Sequence, residues 1–379
     1  MKILTISNYY PSHLGGIEIV AQNLVSRWRV NHQVHWIACE VASHPYKHDL
    51  DDIPLPANNL AEERLGFPYP IPSRKSILEI FRQVEWCDIV HIHDCLYFAN
   101  QVAFIASRWH RKPLIVTQHA ALASYSETYK RTLQRLAYCT IGRIVLQNAE
   151  QVVFISSRVK NWFESWMQFK RQPTFIPNGV DRNLFYPPTT EERRAIRSQL
   201  QLDNEEPVLL FVGRFMQNKG INLIHEIARA RPNYHWLILG SGEINPHKWN
   251  LPNVDIISFR PQSQLRAYYI AADMFVLPSV GEGFPLSVQE ALSCGVPTAV
   301  SEETASALRD APLISLDTSS ISKTLMKLDN ALERPDFLNA LSIKSKTYAE
   351  RWDWNAIVHK YEENFTNLIN MHPTPKANI

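Results

Sequence analysis

The chain has 379 residues, of which 45% are hydrophobic, 20% charged and 11% aromatic, and its formal net charge is +2. That length predicts two domains, or three, each able to bury its own core. The near-neutral balance excludes a polyelectrolyte binder of nucleic acid, and no apolar run approaches the ~18 residues a membrane-spanning helix needs.

The N-terminal apolar run is too short for a secretory leader. Five cysteines, Cys39, Cys87, Cys95, Cys139 and Cys294, are odd in number and form no C-x-x-C pair. They read as reduced thiols of a cytosolic protein, with no disulfide framework or zinc site expected.

In chain order, "KILTIS" (2–7) predicts a buried strand. Apolar residues at 17, 20, 21, 24, 25 and 28 then predict a helix with one apolar face. "QVHWIAC" (33–39), "CDIVHIHD" (87–94), "PLIVTQH" (113–119), "AEQVVFIS" (149–156) and "PTFIPNG" (173–179) read as further strands. The segment 177–206 is polar and proline-marked and reads as a linker. The pattern then restarts with "PVLLFVG" (207–213), the helix "GINLIHEIARA", and strands at 235–242, 254–259, 274–279 and 297–301. "WDWNAIVHKYEENFTNLI" (352–369) predicts a last helix. The fold class is α/β: two tandem Rossmann-like domains, 1–178 and 179–351, facing a deep cleft.

Ligands of such sheets sit beyond the carboxyl ends of the strands, so residues just after strands carry the functional reading. In "VGEGFPLSVQE", Glu282 lies in a loop after a strand and Glu290 a turn into the following helix. A helix start favours anions, and Gly283 lets a ligand approach the backbone. Carboxylates accept hydroxyl protons, so two glutamates around an anion site suggest a nucleotide sugar: ribose, diphosphate, hexose. Arg214 and Lys219 in "GRFMQNKG" follow the first strand of the second half and supply cations for the diphosphate. Gly15 and Gly16 occupy the matching place in the first half. His91, His93 and Asp94 in "HIHD" read as structural, and so does the D-x-D within "DLDD" (49–52).

With "GRFMQNKG", "GSGE", "LPSVGEGFPLSVQEALSCGVPTAVS", "GGIE", "PNGVD" and His119 after a strand, the chain resembles the retaining glycosyltransferases of family 4, of the GT-B fold, over residues 1 to about 365. The resemblance implies that Glu282 contacts the donor hexose and Glu290 the ribose. Arg214 and Lys219 would hold the diphosphate and stabilise it as it leaves. The amides of Gly283, Phe284 and Leu286 would line sugar and phosphate, Pro285 having no N–H to give, and His119 would meet the donor from the first domain. It further implies front-face attack without a metal ion, and a final helix crossing back to the first domain. Arg260 stands where relatives carry glycine near the base, so the UDP- or GDP-linked nature of the donor stays open.

The expected activity is transfer of a hexose to a hydroxyl, in bacterial cell-envelope polysaccharide or glycolipid assembly. The rivals are a nucleotide-sugar 2-epimerase and a silent GT-B binding subunit. Residues 124–147 interleave basic, aromatic and aliphatic side chains. They read either as an interfacial helix that docks a cytoplasmic protein on the membrane near a lipid-linked or glycan acceptor, or as an ordinary core helix.

Overall fold

Runs apolar at almost every position, such as Val208–Val212, suit strands buried on both faces. The computed structural model shows this, describing the chain apart from residues 14, 42–48, 66–68, 123–127, 204–205, 309 and 373–379. The chain divides into two units, 1–178 with 354–379, and 179–353.

The first unit contains β1 (Lys2–Tyr9), α1 (Gly16–Trp28), β2 (Gln33–Glu40), β3 (Asp52–Asn58), α2 (Leu60–Leu65), β4 (Ile71–Pro72), α3 (Arg74–Trp86) and β5 (Ile89–His93). It continues with α4 (Phe98–Trp109), β6 (Leu114–Gln118), α5 (Thr128–Ala137), α6 (Arg143–Asn148), β7 (Gln151–Phe154), α7 (Ser157–Glu164) and β8 (Thr174–Phe175). Its sheet runs β4-β3-β2-β1-β5-β6-β7-β8, parallel except between β3 and β4. Strand β3, "DIPLPAN", went unread in the sequence because of its two prolines. It lies near the sheet edge and pairs fully only with β2, so proline N–H groups missing on its other side cost nothing. Within "DLDD", Arg29 binds Asp52 at 2.8 Å and Asp49 at 3.2 Å.

The second unit contains α8 (Thr190–Gln199), β9 (Val208–Val212), α9 (Ile221–Ala230), β10 (His235–Gly240), β11 (Val254–Ser258), α10 (Gln262–Ala271) and β12 (Met274–Leu277). After these come α11 (Leu286–Ser293), β13 (Thr298–Ser301), α12 (Glu302–Ala307), β14 (Leu313–Leu316), α13 (Ile321–Leu332) and α14 (Pro335–Ala349). Its parallel sheet is ordered β11-β10-β9-β12-β13-β14. Both units thus have the doubly wound order in which the chain reverses direction beside its first strand, between β1 and β5 and between β9 and β12.

Two sequence expectations change. The linker segment contains α8, whose Arg193 and Arg197 grip Asp273 at 2.6 and 3.2 Å, while Asp273 also accepts the Val208 N–H. The polar sequence hid a helix tied down by charge rather than by an apolar face. The last helix, α15 (Trp354–Met371), starts and ends two residues later than expected and belongs to the first unit. There Phe365 packs on Trp28 and the Tyr361 hydroxyl meets Thr117 at 3.0 Å.

Candidate active site

In the second unit, the loop after β9 and the loop after β12 leave the sheet at its reversal point. They are stitched together. The Val280 N–H donates to the Asn218 carbonyl at 2.8 Å. Gly220 caps α9 with φ of 77°, and an added Cβ would lie 2.5 Å from the Pro278 carbonyl oxygen. Only glycine tolerates both that backbone and that approach. Lys219, one residue before it, forms an ion pair with Glu282. Arg214 stands exposed after β9, in a loop fixed by a 2.8 Å bond from the Phe215 N–H to the Ser241 carbonyl. Gly240 sets this contact: a Cβ there would lie 1.9 Å from the Gly213 carbonyl oxygen. Fold thus brings Lys219 to Glu282 from 63 residues away.

Helix α11 begins at Leu286, after Pro285. Its first intrahelical bonds come from the Val288 and Gln289 N–H groups, both to the Pro285 carbonyl. The Leu286 and Ser287 N–H groups are left at an electropositive end. Gly283 is partly exposed, whereas the Phe284 side chain is buried edge-on against Trp352, 5.4 Å away. Phe284 therefore anchors the loop with its ring, and any part it plays toward a ligand falls to its backbone.

Glu290 is buried on α11. Its two oxygens accept from Gln262 at 2.7 Å and from the Tyr269 hydroxyl at 2.8 Å. Burial raises its pKa above the usual carboxylate range, and these two donors oppose the rise. Each oxygen keeps a second lone pair, so the group can still accept from a ligand hydroxyl. Gln262 and Tyr269 were missed in the sequence. No spacing signals a partner 28 or 21 residues away on another helix.

In the first unit, Gly15 and Gly16 start α1, with Gly15 extended rather than left-handed. The buried Glu18 carboxylate curls back over this start: a Cβ on Gly15 would lie 1.9 Å from Glu18 Oε2. The electropositive helix end is already met by a carboxylate, which suits a hydroxyl ligand better than a phosphate. Glu18 was legible as the third helical residue of "GGIE", the place where acids cap.

His119 follows β6 and is buried. Its Nε2 lies 2.8 Å from His93 Nδ1, and its backbone N–H donates to Asp94 Oδ1 at 3.2 Å. Burial lowers the pKa of His119 to about 3 and raises that of Asp94 to about 7. Asp94 holds φ of 66°, a left-handed strain that aspartate tolerates better than most side chains. Of "HIHD", His93 packs directly against His119.

Of the segment read at 124–147, residues 124–127, Tyr125 among them, lie outside the described ones, and the rest forms α5, one wide turn at Tyr138–Gly142, and α6. Tyr138, Gly142, Val145 and Leu146 are buried, while α5 buries nothing. Tyr129, Leu133, Leu136, Ile141 and Ile144 are each 46–63% exposed. An ordinary core helix does not leave such a face in water. No described helix is long and apolar enough to cross a membrane.

Residues 14–184 match the sequence model described as Glycosyltransferase Family 4, and residues 192–308 that of Glycosyl transferases group 1. Among curated proteins, the D-inositol 3-phosphate glycosyltransferase of Segniliparus rotundus is 25% identical, over 70% of this chain and 63% of its own. This chain thus spans less than two thirds of that relative. The GDP-mannose:cellobiosyl-diphosphopolyprenol alpha-mannosyltransferase of Xanthomonas campestris is 22% identical over 100% of both chains. Among solved structures, Anabaena HepE in complex with UDP superposes with a TM-score of 0.78 at 17% identity, covering 97% of this chain and 100% of that one.

Proposed function

Because the chain belongs to the family 4 glycosyltransferases and has their two-Rossmann GT-B fold, we propose that it transfers a hexose from a nucleoside diphosphate sugar to a hydroxyl, retaining the anomeric configuration, in cell-envelope polysaccharide or glycolipid assembly. The observation that carries this reading is the pair of stitched loops at β9 and β12, which present Arg214, Lys219, Glu282 and the start of α11 at one end of one sheet. Cations and helix amides would take the diphosphate, Glu282 the hexose and Glu290 the ribose.

In the reaction the bond from the anomeric carbon to the diphosphate oxygen breaks while the bond to the acceptor oxygen forms on the same face. The acceptor proton passes to the departing phosphate oxygen. Arg214 and Lys219 compensate the charge growing on the diphosphate, so no metal ion is invoked. Lys219 starts from its ion pair with Glu282, so diphosphate competes for the lysine and releases the carboxylate to the sugar.

Calorimetry with UDP and with GDP, both in EDTA, tests the donor site. Binding of either is expected, and silence toward both at millimolar concentration counts against the site. Product analysis with a nucleotide sugar, with and without acceptor, then separates transfer from 2-epimerisation and from a silent binding subunit.

The acceptor is proposed to be lipid-linked, as the name of the Xanthomonas relative states for that protein. The exposed stripe on α5 and α6, flanked by Lys130, Arg131, Arg135 and Arg143, would dock on an anionic bilayer. Sedimentation with anionic vesicles should pull down the protein and weaken with salt. Equal, salt-insensitive binding to neutral vesicles would remove the idea.

A further inference from the structure

We infer that His93 is a positioning residue that fixes the tautomer of His119, making it an N–H donor through Nδ1 toward an oxygen of the donor sugar. This rests on the reading that His119 meets the donor.

The two rings share one hydrogen bond, His93 Nδ1 to His119 Nε2 at 2.8 Å, and lie nearly parallel, 24° apart. Both are buried, and burial keeps both neutral. Each ring therefore carries one hydrogen, and only one of the two facing nitrogens can hold it. If His119 donated, His93 would carry its hydrogen on Nε2. That nitrogen is buried without a hydrogen-bond partner. Orphaned buried N–H groups are rare, and under-satisfied acceptors less so. The favoured arrangement puts the hydrogen on His93 Nδ1 and leaves a bare lone pair on His93 Nε2. His119 Nε2 then accepts, and its own hydrogen must sit on Nδ1, which has no hydrogen-bond partner among the described residues.

The frame around the pair is stiff. Asn100 donates to the His93 carbonyl at 2.6 Å, and Asp94 accepts the His119 backbone N–H. Next to them, His91 follows the same rule. Its Nδ1 is orphaned, so its Nε2–H is the one facing Thr117 Oγ1 at 2.8 Å. A His119 held this way offers a neutral donor and no basic lone pair to the ligand. It suits a sugar hydroxyl oxygen, and it cannot abstract the acceptor's proton.

Histidine-selective 15N labelling of the full chain reads the tautomer directly, with the His119 signals assigned by their loss in His119→Gln. The expected pattern is a protonated Nδ1 and a bare Nε2. A protonated Nε2 in the wild-type protein overturns the proposal without any variant. In His93→Asp, whose carboxylate accepts rather than donates, His119 Nε2 should become protonated. Its kcat/KM for the nucleotide sugar should fall about 3- to 10-fold, with binding of the free nucleoside diphosphate unchanged. His93→Asn, whose amide can still donate, should recover most of that loss. A folded His93→Asp with a bare His119 Nε2 also overturns the proposal. A His119→Gln enzyme with undiminished kcat and KM would instead remove the donor contact on which the inference rests, while the spectra would still decide the tautomer.

Discussion

The two sheets share one strand order, yet the residues beyond their reversal points differ in kind. Beyond β9 and β12 lie Arg214, Lys219 and Glu282, all at least partly exposed, with Lys219 and Glu282 joined in an ion pair. Beyond β5 and β6 lie His93, Asp94 and His119, all buried, with the histidines kept neutral and Asp94 pushed up to about 7. One topology thus supports a charged edge and a desolvated one. The difference teaches that the fold supplies only the place; exposure of the side chains decides whether that place is charged or neutral.

Removing cations from the charged edge should have the largest effect. Arg214→Ala and Lys219→Ala each delete a charge-assisted contact worth roughly 1.5–3 kcal/mol, so turnover should fall about 10- to 150-fold. The melt of Arg214→Ala should stay close to wild type, since Arg214 is exposed. Wild-type turnover at saturating donor would break the comparison.

The two glutamates sharpen it within one unit. Glu290→Gln should weaken UDP or GDP binding about 10-fold, and should also lower stability. A glutamine cannot accept from both Gln262 and Tyr269 without turning an NH₂ on one of them. Glu282→Gln should spare binding of the free diphosphate and lower kcat with the sugar donor, its contact strengthening as the anomeric bond breaks. Dissociation constants and single-turnover rates for both variants check this. Equal weakening of free-nucleotide binding would sink the two-ended reading.

The last contrast concerns pH. His91 and His119 hold pKa values of about 3, against 6.5 unfolded, because burial penalises their charged forms. Between pH 6.5 and about 3 the unfolded chain binds more protons, so acidification destabilises the first unit, by about 1.4 kcal/mol per pH unit for each such group. Asp94 acts in the opposite direction: its contribution is full below about pH 4 and is lost as pH rises toward 7. With His93 also kept neutral by burial, three histidines against one aspartate leave a net loss on acidification. Hydrogen exchange at pH 7 and pH 5 should show the core of the first unit opening more at pH 5, with less change in β9–β12. Equal change in both sheets would erase the electrostatic contrast.

Much of this was legible in the sequence, and the reasons are local. Both sheets announce themselves because strands buried on two faces are apolar throughout, as in "PVLLFVG", and because each half restarts with strand, glycine loop and amphipathic helix. Glu282, Glu290, Arg214 and Lys219 could be singled out because strand, loop and helix start are contiguous in the chain. Helix α8 and strand β3 were not legible: one is held by Arg193 and Arg197 on a distant aspartate, the other carries prolines that only an edge position permits.

By itself, the sequence determined the α/β class, the doubling of the Rossmann pattern and the residue types after each strand, since periodicity and turn chemistry act over a few residues. Only the tertiary structure decided which of those residues are charged, neutral or paired. Lys219 finds Glu282 across 63 residues, Glu290 is enclosed by Gln262 and Tyr269, and His93 meets His119 across 26. Protonation and hydrogen-bond direction depend on burial and on partners a few ångströms away, and those distances exist only once the sheets have formed.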